Sequence, residues 1–330
     1  ENGNALPIVK NFRQSFLNTL NNPGLYSWDY VPLEDQNLNQ NQNNLQDVTA
    51  NIGLRYTLWK GVSTEVKYQY QRQNTHGLNI LPEESYGARS IINQFTQLSN
   101  TGQATYIIPR GGIRDEQQAN VASNQFRGQL NFQQNWGKHE VVALAGTEWR
   151  SVNNTSSANR LYGFNNNLLT FGQVDYTRTY PRLIGGGQAF IEDNVGLNER
   201  ENRFVSLFTN ASYTYDQRYT FSMSGRRDAS NLFGVNTNDQ WNPLGSVGLG
   251  WNISNEAFYL WKAVPYLKLR STYGLSGNVD LGQAAVTTIS YASNSAFTGS
   301  PRAIFNQFAN PELRWETAKI WNTGLDFSTK

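Results

Sequence analysis

Cysteine is absent from the 330-residue chain, which excludes disulfides and thiolate metal sites. Histidine occurs only as His76 and His139, and neither stands near a nucleophile motif, so no catalytic residue and no enzymatic activity are expected. No run of eighteen apolar residues exists, which excludes a transmembrane helix. The first residues lack the basic region and apolar stretch of a signal peptide. Charged residues make up 16% of the chain and net charge is +2, so nucleic acid is not an expected partner. The Gly-rich stretches GGIRDE (111–116) and IGGGQ (184–188) precede no helical pattern, which argues against phosphate loops. NTND (236–239) and NVDLG (278–282) carry oxygen ligands without EF-hand spacing. No cofactor and no metal are expected, a loop calcium ion being the remaining alternative.

What is present is period-two alternation over long segments. In 48–58 the apolar positions are Val48, Ala50, Ile52, Leu54, Tyr56 and Leu58; after a turn they are Val62, Val66, Tyr68 and Tyr70. The alternation persists for about ten residues or more, the length a tilted strand needs to cross a bilayer. A mean hydropathy of −0.58 with 13% aromatics fits this reading. Only alternate residues of such a wall face lipid. Strands are expected at 47–59, 62–75, 120–136, 139–152, 203–215, 218–227, 242–253, 266–276 and 315–328. Short connections (60–61, 137–138, 216–217, 254–265) alternate with long ones (76–119, 153–202, 228–241, 277–314). This is the pattern of an all-β antiparallel transmembrane β-barrel segment with long extracellular loops. Ahead of it, Phe12, Phe16, Leu17 and Leu20 form a helix-compatible patch, and QNLNQNQNN (36–44) reads as a solvated loop. Residues 1–47 are therefore an expected extracellular loop region and 48–330 a partial barrel.

Turn parity sets the register, because lipid-facing residues must pair with each other. It places Leu58 opposite Val62 with Gly61 left-handed, and a type II′ turn at Gly137-Lys138 pairs Phe126 with Trp149. The same registers bring Arg55 opposite Glu65 and Arg127 opposite Glu148 on the polar, lumen-facing side. Tyr215 pairs with Tyr219. Trp59, Trp136, Trp149, Tyr215, Tyr219, Trp251 and Trp321 lie near strand ends, where aromatic girdles meet the membrane interface. Segment 254–264 reads as a helical turn ended by Pro265. RRD (226–228) reads as the outer rim, His139 as a surface residue opening a strand, and His76 as one opening a loop. The long loops carry amides and aromatics. Of these, Tyr162, Phe164, Tyr176, Phe233, Trp241 and Tyr291 are the substrate-binding candidates, weighed against simple packing of the loops on each other.

YTFSMSGRRDASNLFG (219–234), WNPLGSVGLGWNISNEAF (241–258), LKLRSTYGLSGN (267–278) and NPELRWETAKIWNTGLDF (310–327) resemble, in order, blocks of the SusC/RagA family of TonB-dependent outer-membrane transporters. The resemblance is specific over about 203–328; residues 48–152 agree in architecture. It implies a plugged barrel of about 22 strands in the bacterial outer membrane, of which this chain is a contiguous piece lacking plug and closing strands. It also implies uptake of oligosaccharide or peptide, a SusD-like surface lipoprotein lid, and TonB acting through the plug. A soluble or surface glycan-binding β-sandwich, and a siderophore or vitamin receptor of similar fold, stand as alternatives.

Overall fold

A computed structural model describes residues 5–232, 241–278 and 315–329, with parts of 282–313. Nine strands form one antiparallel sheet in chain order: β1 (Gln40–Trp59), β2 (Val62–Leu81), β5 (Gly112–Trp136), β6 (His139–Phe164), β9 (Gly196–Tyr215), β10 (Tyr219–Ser230), β11 (Trp241–Asn252), β12 (Tyr266–Asn278) and β15 (Glu316–Ser328). The sheet is open, with β1 and β15 as its edges. Among the described residues, three two-stranded hairpins lie outside it: β3 (Thr96–Leu98) with β4 (Ala104–Tyr106), β7 (Thr179–Pro181) with β8 (Gln188–Phe190), and β13 (Thr288–Ala292) with β14 (Arg302–Gln307). A β-sandwich is excluded, because the long strands share one sheet instead of dividing between two packed ones.

The short turns bear out the expected parity. Gly61 (φ 83°) and Gly137 (φ 56°) are left-handed while Lys138 is not, which makes 137–138 a type II′ turn. Phe126 pairs with Trp149 and Tyr215 with Tyr219. In the first hairpin Tyr56 meets Thr64 as expected, but a bulge at Leu58 pairs Trp59 with Val62. The third turn spans 216–218, one residue longer than expected. Asp216 (φ 50°) and Gln217 (φ 55°) are left-handed there without being glycine. Neighbouring turns hold them: Asp216 N–H donates to the Lys138 carbonyl at 2.6 Å, and the Asn252 and Asn255 amides donate to the Gln217 carbonyl at 2.7 and 2.8 Å. Segment 254–264 is helical only at its start, as a 3-10 turn over Ile253–Asn255.

Parity divides the sheet into two faces. One hydrogen-bonded row runs Val62–Phe132–Ala143–Ala211–Met223–Val247–Tyr273–Trp321, apolar throughout. Trp59, Trp136, Tyr215, Tyr219 and Trp251 stand on this face beside the short turns. Trp241 lies ten residues from Trp251 on β11, and Trp149 ten residues from the turn end of β6. With a tilt of about 45°, ten residues rise about 24 Å, close to the height of a transmembrane apolar band. Trp241, expected in a long loop, is thus a strand residue at the far edge of the band, with the Arg227 guanidinium 5.1 Å from its ring centroid. Trp321 is inside the band rather than at an edge; its indole donates to Ser271 Oγ at 2.9 Å.

Strands run well past the band at the long-loop end: β6 is 26 residues and β5 25. Residues 40–44, expected as loop, form the start of β1 against His76–Ile80, and His76 is a strand residue hydrogen-bonded to Glu116 at 2.8 Å. The alternation rule missed these extensions because a strand wetted on both faces needs no apolar period. Between β2 and β5, helix α3 (Tyr86–Phe95) starts at Ser85, whose hydroxyl accepts from Ala88 N–H at 3.2 Å. Its buried face joins Ile108, Ile113, Tyr162, Tyr180 and Ile191 in the principal hydrophobic core. The N-terminal segment, with short helices α1 (Gln14–Leu17) and α2 (Pro32–Leu38), docks on α3 through Asn93, whose side chain both accepts from Tyr26 N–H and donates to the Tyr26 carbonyl at 2.9 Å.

Close approach explains one glycine of the wall. A Cβ on Gly146 would lie 2.5 Å from the Gly128 carbonyl oxygen and 2.7 Å from the Phe208 ring. Phe208, opposite Gly146 on the inner face, covers the gap the glycine leaves. Gly146→Ala is expected to cost about 1–3 kcal/mol through overpacking against backbone that cannot turn aside. Reduced heat-modifiability of the folded barrel on gels would register it; an unchanged folded fraction would contradict it.

Candidate lumen wall and extracellular groove

The polar face carries a charged belt toward the long-loop end of the wall. Its hydrogen-bonded row is Gly53–Lys67–Arg127–Glu148–Ser206–Asp228–Asn242. Arg127 stands opposite Glu148, with an N–O separation of 3.8 Å, and stacks 4.4 Å over Phe208. Gln125 donates to the other Glu148 oxygen at 3.1 Å. Arg55 stands opposite Glu65 but donates to Ser63 Oγ at 3.3 Å, while Glu65 pairs with Lys67 along its own strand at 3.0 Å. Each of these part-exposed ion pairs contributes about 0–1 kcal/mol at most. RRD splits by parity: Arg227 lies on the apolar face, whereas Arg226 and Asp228 face inward and pair at 2.7 Å, Arg226 also donating to Ser206 Oγ at 2.9 Å. Lys67 and Phe208 were not singled out from sequence, and Arg226 and Asp228 were read only as part of the outer rim. Their common signal is strand parity, which puts Phe208 on a polar face where an aromatic is out of pattern.

Above the belt, the inner face of the strand extensions forms a groove of about 650 Å³. Asn41, Asn43, Asn79, Gln117, Ser156 and Asn198 line it, with Gly77 and Gly196 keeping backbone accessible. Its carboxylate, Asp115, is neutralised by Arg160, which grips it at 2.6 and 2.8 Å. That hydrogen bond holds the Arg160 pKa above its ordinary range against the opposing effect of burial. The groove thus offers uncharged amides and hydroxyls. These both donate and accept hydrogen bonds, as recognition of sugar hydroxyls or peptide backbone requires. Among the described residues no cluster of three or more His, Cys, Asp or Glu could hold a metal ion.

The aromatic candidates scatter. Tyr162 and Phe164 are 2% and 7% exposed, so they pack the extracellular core and cannot present a face to a ligand. Tyr162 donates to the Glu192 carbonyl at 2.8 Å, and Tyr176 packs against its ring at 6.3 Å. Tyr291, on β13, is exposed; Phe233 lies outside the described residues, as do 236–239 and 279–281. His139 opens β6 and is sandwiched between Trp136 and Tyr213.

Where the N-terminal segment docks, burial and the neighbouring Glu83 carboxylate, to which its hydroxyl donates, push the Tyr26 pKa up to about 12. Arg110 donates to the same oxygen at 2.6 Å. A raised folded-state pKa means the contribution is complete below about pH 10 and is lost as pH rises toward about 12. Tyr26→Phe is expected to flatten thermal stability across that window. A wild-type and variant decline of equal steepness would refute the assignment.

A nine-stranded antiparallel sheet with one apolar face, aromatic residues beside its short turns and one polar face is the wall of an outer-membrane β-barrel. The chain belongs to the TonB dependent receptor-like, beta-barrel family, whose model matches residues 3–330. It is 28% identical over 220 residues to TonB-dependent receptor P3 of Formosa agariphila, covering 66% of this chain and 20% of that relative. It is 30% identical over 138 residues to TonB-dependent receptor SusC of Bacteroides thetaiotaomicron, covering 38% of this chain and 13% of the relative. The fold matches the solved structure of the RagAB peptide transporter with a TM-score of 0.69 at 19% identity, covering 89% of this chain and 29% of that one. The chain therefore spans about a fifth of the first of these relatives. Family members are receptors and transporters, not enzymes.

Proposed function

We propose that this chain is part of the wall and mouth of a transporter that imports oligosaccharide or peptide nutrients across the outer membrane. A SusD-like surface lipoprotein captures the ligand and closes the mouth, and TonB supplies energy through a plug domain. Residues 5–39 lie on the extracellular side, docked on the loop core. The belt of Arg55, Glu65, Arg127 and Glu148 faces the lumen, and Tyr291 lies among the ligand-facing loop residues. The observation that carries the reading is the neutral amide-lined groove at the mouth, which suits a hydrogen-bonding polymer; the likeness to SusC and to RagAB supports it.

The test uses the full-length transporter with its lipoprotein partner. Binding and uptake of labelled oligosaccharide and peptide mixtures should fall when Asn79 and Gln117 are both changed to Ala. Two lost hydrogen bonds of about 0.5–1.5 kcal/mol each correspond to roughly tenfold weaker binding. Uptake should also require the partner. Partner-independent uptake of a siderophore or vitamin, with no response to glycan or peptide, would overturn the proposal.

A further inference from the structure

The turn between β11 and β12 folds back onto the lipid side of the wall. Glu256 is the clamp: it accepts hydrogen bonds from Tyr219 Oη at 2.6 Å and Trp251 Nε1 at 2.9 Å, and pairs with Arg218 at 3.4 Å. Tyr219 and Trp251 belong to the outward aromatic row, so the clamp stands on the outward face. Phe258 packs edge-on against Trp251, with ring centroids 6.3 Å apart. Beyond it the segment is closed by Tyr259 Oη donating to the carbonyl of buried Val264 at 2.6 Å. This frame holds Phe258, Leu260 and Trp261 at 65%, 84% and 62% exposure. Three large apolar side chains within four residues are not left in water without an occupant.

No missing element of the wall can cover them. The turn is flanked by β10 on one side and β15 on the other, both within the described sheet. A plug would occupy the opposite, polar face. On the outward face the patch continues into Leu267 and Phe327, paired neighbours on β12 and β15. That face is the lipid interface. We infer that Phe258, Leu260 and Trp261 form an interfacial foot that inserts into the periplasmic leaflet of the outer membrane, with phospholipid as its partner. Lys262 follows directly, with a cationic head and an apolar stem suited to the headgroup region. The foot extends lipid contact below the aromatic edge and ties the left-handed 216–218 turn to the membrane through Arg218, Asn252 and Asn255. It rests on the reading of the chain as an outer-membrane barrel.

The chain's lack of cysteine allows a direct test in the full-length transporter, any cysteine elsewhere in it being replaced. Single Cys variants at Leu260, at Ala211 in the apolar band, and at Lys60 on the tip of the first short turn would each carry an environment-sensitive fluorophore in phospholipid vesicles. The foot predicts quenching by acyl-brominated phosphatidylcholine at 260 at least about twice that at 60, with weak quenching by aqueous iodide. Iodide quenching at 260 equal to that at 60, or protection from both quenchers as under a protein partner, would overturn it. Position 211 separates the two readings: quenching by brominated lipid at 211 but not at 260 rejects only the foot, whereas none at 211 rejects the barrel orientation itself.

Discussion

Arginine at position 211 is expected to destabilise the barrel by about 2–4 kcal/mol, the cost of a cation on the lipid face near the bilayer midplane. Ala211 lies in the unbroken apolar row between Ala143 and Met223. It stands four residues from Tyr215, so it rises about 10 Å above the short-turn girdle at the usual strand rise and tilt. There a guanidinium has neither water nor a carboxylate within easy reach. Arginine at the adjacent position 210 should change stability by no more than about 0.5 kcal/mol, as at an ordinary wetted site. Asn210 is exposed on the polar face opposite Leu144 and Ser224. Urea unfolding of the full-length protein in lipid vesicles compares the two. Equal effects would mean that the assignment of faces is wrong, because one residue along a strand is the whole difference.

The second large effect is at Asn93. This buried side chain satisfies both backbone groups of Tyr26, 67 residues away in sequence. Asn93→Ala leaves a donor and an acceptor unmade and is expected to cost about 2–6 kcal/mol, each lost partner being worth about 1–3. The loss should be local. The wall does not depend on this contact, so residues 5–30 should become protease-sensitive while the barrel keeps its unfolding midpoint. Asn93→Asp retains the acceptor but sets a buried carboxylate oxygen against the Tyr26 carbonyl, and should be cleaved at least as fast as Asn93→Ala. Cleavage unchanged from wild type in both variants would show that the segment is held by its other contacts, such as Arg89 to the Asp29 carbonyl.

Much of the wall is legible in the amino-acid sequence, and the reason is solvent. Where one face meets lipid and the other water, period two is imposed on the sequence, and a slip of one residue exchanges every side chain between media. That constraint is why Arg127 can be placed opposite Glu148 from the position of Gly137 alone. It disappears above the membrane. DEQQA (115–119) and NNTSSANR (153–160) extend β5 and β6 with both faces wet, and nothing in their alternation marks them as strand. For the same reason the amide groove leaves no local signal: its lining comes from Asn41, Asn79, Gln117, Ser156 and Asn198, five strands brought side by side by pairing.

Aromatic side chains show the other limit. Tyr162, Trp241 and Tyr291 look alike as loop aromatics in sequence. The structure gives them three roles: core, membrane edge and exposed hairpin. An aromatic ring gains from burial, from the interface and from ligand contact alike, so composition cannot choose among them. The class of wall, its register and the residues facing lipid were all set by the order of amino acids, because local alternation and turn chemistry carry that information. The height of the strands above the membrane, the docking of the N-terminal segment, and the inward belt and groove emerged from the folded chain alone. Those depend on which distant segments meet, and the physical selection there is side-chain complementarity rather than a repeating pattern.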